Sequence, residues 1–239
     1  MTITQRVDVL TVGSSLMLVG AVLLSGISSF AGTISGEVKF VGAVSDLKPI
    51  QVSKDHDYCG LTLPDNSLLV GRGGELKSVV VYLDTTGIPA PPSAKANTLD
   101  TDGCSFVPRV TAMALGEKLI IHNSDPKLHI VHSYLDKQTV FNLAVPFKNH
   151  QTEITRKIRK PGLLEVHCDT HAWMRGYIHV FEHPFFAVTD DRGSFSIPNV
   201  SAGIYTLKTW HEKAGVQSME VKVPESGEVR VNLEVGRWQ

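Results

Sequence analysis

The chain has 239 residues, 42% of them hydrophobic and 20% charged, enough apolar material for a packed core in one large or two small domains. Its 23 lysines and arginines are offset by 24 aspartates and glutamates, a formal net charge of −1, and the cations are scattered along the chain. No basic stripe is present to neutralise phosphates, so nucleic acid is not an expected partner.

In chain order, Arg6 precedes an uncharged run from Val9 to Phe30, and Ser29-Phe30-Ala31 places small residues where a signal peptidase reads. Residues 1–31 are expected to be a signal peptide cleaved before Gly32. The alternative is an uncleaved membrane anchor, since the run approaches the about 20 residues that span a bilayer. A periplasmic or otherwise exported protein is expected, touching a membrane only if that segment is retained.

Beyond residue 31 the patterning has period two and turn residues recur, which predicts an all-β fold. ISGEVKFVG (34–42) and LKSVVVYLD (76–84) read as strands within an N-terminal β segment, 32–103. PAPPSAKANTLDTDG (89–103) has no apolar period and reads as a linker or long loop. FVPRVTAMALGEKLIIHNSDPKLHIVHSY (106–134) gives strands broken at Leu115-Gly116 and at the NSDP turn; a polar stretch runs from Asp136 to Gln151. LLEVHC (163–168) and GYIHVFE (176–182) close a unit spanning 104–183. The tail, 184–239, carries a DDRG hairpin turn and further short alternating strands, too few for an independent sandwich.

Three cysteines cannot all pair within one exported chain. Cys59 and Cys104 lie beside turn residues and suit a disulfide, whose loop closure contributes about 4 kcal/mol on the chain-entropy model. Cys168 is left over, and a metal bond would protect its thiol. On LLEVHC, Leu164, Val166 and Cys168 share one face while His167 lies on the other. His171 and Met174 follow in the loop to the next strand. Cys-x-x-His-x-x-Met thus offers a thiolate, an imidazole and a thioether at short range, and a copper electron-transfer site needs one imidazole more. His129 and His132 are candidates that face opposite ways on one strand, and His122 is a third.

CDTHAWMRGYIHVFE resembles the ligand loop and last strand of the cupredoxins, the amicyanin- and plastocyanin-like blue copper domains, and FVPRVTAMALGEKLIIHNSDPKLHIVH resembles the strands leading to their first histidine. The resemblance implies a Greek-key β-sandwich with one type 1 copper held by His129, Cys168, His171 and Met174. It further implies Asn123 and the Ile130 amide as supporting groups, His171 as the exposed ligand, and Trp173 as a docking surface. Asp169-Thr170 and Ala172 depart from the prolines that stiffen such short loops. TDDRGSFSIPNVSAGIYTLKTWH resembles carboxypeptidase-regulatory-like β-sandwiches, but lacks their first strands. ISGEVKFVG and LKSVVVYLD look like those strands, which predicts a second small sandwich into which the cupredoxin is inserted, with a simple tandem as the alternative.

The expected function is electron transfer between redox partners such as a c-type cytochrome or a periplasmic dehydrogenase. Copper storage or delivery is the alternative within the metal class, zinc binding is less suited to the thioether, and a non-redox binding module with a vestigial site is the reading from outside it. No nucleophile setting for hydrolysis is present, so an electron carrier or copper-binding protein is expected rather than an enzyme, with oxidase chemistry left open.

Overall fold

The computed structural model describes residues 31–44, 47–90 and 95–236, so the expected signal or anchor run lies outside the described residues. Among the described residues no helix is long and apolar enough to cross a membrane. Among the described residues the regular structure is almost all strand. The first part comprises β1 (Ala31–Val41), β2 (Ile50–Gln51), the single turn α1 (His56–Cys59), β3 (Thr62–Leu63) and β4 (Val80–Leu83). The middle comprises β5 (Ala96–Asp102), β6 (Ser105–Val107), β7 (Val110–Ala114), β8 (Lys118–Asn123), β9 (His129–Leu135), β10 (Gln138–Val145), β11 (His150–Glu153), β12 (Gly162–Cys168) and β13 (Arg175–Phe181). The last part comprises β14 (Phe186–Val188), β15 (Ser194–Ser201), β16 (Gly203–His211), β17 (Gly215–Val223) and β18 (Gly227–Gly236).

Strands from the two ends of the chain build one sandwich. β1 lies between β15 and β18, β4 lies between β14 and β16, and β17 completes the second sheet. Ile34 faces Ile197 and Gly36 faces Phe195 across the β1–β15 pair, contacts that a tandem arrangement would lack. The inward residues of both sheets, among them Ile34, Val38, Val81, Ile197, Leu207 and Leu233, form one apolar core.

The chain between β4 and β14 builds a second sandwich from a sheet ordered β10-β9-β12-β13-β7 and a sheet ordered β11-β8-β5-β6. Its core includes Leu119, Ile121, Val131, Phe141, Leu164 and Ile178. The stretch 89–103, expected to be a linker or loop, contributes β5, which runs parallel to β8. Its inward face hides the apolar period because only Leu99 on it is aliphatic. The polar inward residues find partners instead: Asn97 donates to Glu117 (3.1 Å) and Thr101 to the Asn123 side-chain oxygen (2.8 Å). The polar stretch 136–151 likewise carries β10 and the start of β11.

The two sandwiches meet along β7 and β13 on one side and β4, β14 and β16 on the other, through Val80, Val110, Ala112, Phe181 and Trp210. Arg109 adds a two-point ion pair to Glu212 across this seam. His179 sits among its aromatic rings, 4.9 Å from Trp210 and 5.3 Å from Phe181. Burial pulls its imidazole down to about 4. The unfolded chain therefore binds a proton that the folded chain refuses between about pH 6.5 and 4, and stability falls as pH drops through that window. His179→Phe keeps the packing and removes the titration, so denaturant unfolding should show the variant losing about 2 kcal/mol less than the parent between pH 7 and pH 5. Equal losses in both proteins would contradict this origin.

Candidate metal centre

β9 and β12 are antiparallel neighbours, with Cys168 opposite Val131. That register brings the first residue of β9, His129, to the same end of the sheet as the last residue of β12, Cys168. Alternation turns both inward, because Val131 and Val166 share their faces and pack in the core. The hairpin from β12 to β13 carries His171, and its turn is closed by the Met174 amide donating to the His171 carbonyl (3.0 Å).

The sulfur of Cys168 lies 3.7 Å from Nδ1 of His129 and 3.7 Å from Nδ1 of His171, and the two Nδ1 atoms are 3.0 Å apart. Both histidines are 0% exposed, Met174 is 2% and Cys168 is 3%. Each imidazole uses its other nitrogen on a carboxylate. His129 Nε2 is 3.0 Å from Asp125, and His171 Nε2 is 2.9 Å from Asp55. An Nε2–H donated to a carboxylate directs the Nδ1 atom of each ring at the sulfur.

The electrostatics follow from this convergence. Burial alone would push the Cys168 thiol up, but the two imidazoles, the Thr170 hydroxyl and the Ile130 amide outweigh it and bring the thiol down to about 5. Burial pulls His129 down, and Asp125 and the Cys168 sulfur outweigh it, raising the imidazole to about 9. At neutral pH the metal-free site is thus a thiolate beside an imidazolium, with a proton among the three donors. A thiolate and two imidazoles, with a thioether on the same loop, make a donor set for a soft or borderline cation.

Asp125 is fully buried and well satisfied: it accepts from the Gly103 amide (2.8 Å), the Cys104 amide (2.9 Å) and the Tyr58 hydroxyl (2.9 Å) as well as from His129. Burial raises this carboxyl, and those donors outweigh it and hold it below the usual range. Asn123 closes the loop before β9 by donating to the carbonyls of Lys127 and Val145 (both 2.9 Å) and accepting from the Asp125 amide. Cys59 and Cys104 are joined in a disulfide, leaving Cys168 as the free cysteine.

The structure therefore brings His129, Cys168 and His171 together, with Met174 buried on the same hairpin as Cys168 and His171 and Asn123 and Ile130 placed against the loop and the sulfur. His132 lies on the outer face, paired with Asp169, and His122 is held by Asp100 on the other sheet. Two expectations are corrected. His171 is not the exposed ligand: its ring is fully buried, with Asp55 bonded to its Nε2 and the Trp173 ring 5.0 Å away. Trp173 is not a free docking surface: it is half-buried, its indole donates to the Cys104 carbonyl (3.1 Å), and it packs on the disulfide. Sequence reasoning missed Asp125, Asp55 and Tyr58. Asp125 had a local signal, an acid four residues before a ligand candidate; Asp55 and Tyr58 had none, since the chain reaches the site only through tertiary packing.

Loading the site must displace the proton on His129. Calorimetric titration with Cu(I) or Zn(II) in buffers of different ionisation enthalpy should show one proton released between about pH 5 and about pH 9, and none above that window. Uptake at pH 7 without proton release would contradict the assigned charge states.

No family model and no curated protein matches the chain. Among solved structures, an amicyanin mutant in its reduced state is similar at 17% identity and a TM-score of 0.32, over 42% of this chain and 97% of that one. The copper-containing nitrite reductase NirK from Thermus scotoductus SA-01 is similar at 22% identity and 0.31, over 47% of this chain and 25% of that one. A purple cupredoxin from Nitrosopumilus maritimus is similar at 19% identity and 0.28, over 31% of this chain and 80% of that one.

Proposed function

We propose that the chain is an exported mononuclear type 1 copper protein that carries single electrons between redox partners, with copper held by His129, Cys168, His171 and Met174. One observation carries the reading: two imidazole nitrogens and one thiolate converge inside the protein while both remaining imidazole nitrogens are tied to carboxylates. Copper bound there supplies a one-electron couple at a ligand set that suits both of its oxidation states.

The protein's own side chains do the rest. Asp125 and Asp55 fix the orientation and tautomer of the two rings, so the donors need not rearrange to receive the ion. The Ile130 amide withdraws electron density from the thiolate, and the Thr170 hydroxyl lies 3.0 Å from the sulfur. Burial of all four side chains excludes water, which favours an electron carrier over a protein that readily hands its ion on. The disulfide suits an exported, oxidising location. A c-type cytochrome or a periplasmic dehydrogenase is the proposed class of partner.

Visible and EPR spectra of the protein loaded with Cu(II) test the proposal. Intense thiolate-to-copper absorption at the red end of the visible spectrum and a compressed copper hyperfine splitting are expected, and Cys168→Ser should abolish both. A colourless Cu(II) protein would contradict it.

A further inference from the structure

We infer that residues 55–59 are a strap that closes the histidine edge of the site, and that Asp55 is a positioning residue which sets the copper potential; the inference rests on the copper reading above. The strap comes from outside the sandwich that carries the ligands, between β2 and β3. Within one turn it reaches behind both imidazoles. Asp55 accepts directly from His171, and the Tyr58 hydroxyl binds the carboxylate that holds His129.

The strap is fastened at several points. Cys59 is bonded to Cys104, whose amide also donates to Asp125. Lys127, two residues before His129, binds Asp57 at 2.6 Å and Asp55 at 3.5 Å. Asp55 itself adopts a left-handed conformation (φ 55, ψ 39). Aspartate tolerates that region better than most residues, yet it is held there only when its surroundings demand it.

Two consequences follow from elementary electrostatics and access. A carboxylate behind a ligand ring stabilises the more positive Cu(II) state, so its removal raises the reduction potential. A ring with no exposed edge is closed to solvent, chelators and direct contact by a partner.

Asp55→Ala and Asp55→Asn in the full chain test this. Loaded with copper, both variants should keep the type 1 spectrum and show a potential above that of the parent by voltammetry. Bathocuproine disulfonate should strip Cu(I) from Asp55→Ala about tenfold faster than from the parent, the scale on which groups behind a ligand affect metal retention. Asp55→Asn, which still covers the ring, should stay near the parental rate. In metal-free protein, diethyl pyrocarbonate with peptide mass spectrometry should find His171 protected in the parent and modified in Asp55→Ala. Parental potential and continued His171 protection in Asp55→Ala would overturn the strap. A parent without a type 1 spectrum would instead remove the copper reading, and the protection experiment would still decide whether the strap covers His171.

Discussion

Three donors aimed at one point inside a protein repel one another unless something positive lies between them. Cys168, His129 and His171 are held in that arrangement by the carboxylates behind the rings, which accept the Nε2–H bonds and turn both Nδ1 atoms inward. The metal-free site meets the resulting demand with a proton, as the raised imidazole of His129 and the lowered thiol of Cys168 record. A cation with affinity for sulfur and imidazole would take the place of that proton without requiring the rings to turn.

The architecture serves this arrangement. The β9–β12 register delivers His129 and Cys168 to one end of a sheet, and the β12–β13 hairpin adds His171 and Met174. The sandwich built from both ends of the chain is joined to it along an aromatic seam, and the segment between β1 and β4 carries Asp55, Tyr58 and Cys59. The ligands thus come from the inserted unit, while one of the two carboxylates that orient them comes from outside it.

Much of this was legible in the sequence because it is local. Strand parity alone turned Cys168 inward and His167 outward, and the Cys-x-x-His-x-x-Met spacing placed two more donors on one loop. The odd cysteine count separated Cys168 from the Cys59–Cys104 pair. The pairing of the two chain ends was one of two arrangements the sequence left open, and β1 lies between β15 and β18. What escaped was non-local or polar. β5 was hidden because Asn97 and Thr101 occupy inward positions where an apolar period would otherwise be read. Asp55 and Tyr58 lie in a polar stretch with no pattern of its own, so the covering of His171 was invisible and the ring was expected at the surface.

X-ray absorption at the copper edge, recorded on the loaded protein in both oxidation states, tests the central claim most directly. A donor set held in advance by Asp125 and Asp55 predicts one short copper–sulfur bond and two imidazole nitrogens in Cu(II), with nearly the same shell in Cu(I). Loss of an imidazole or of the sulfur on reduction, or a Cu(II) shell built from oxygen, would contradict it.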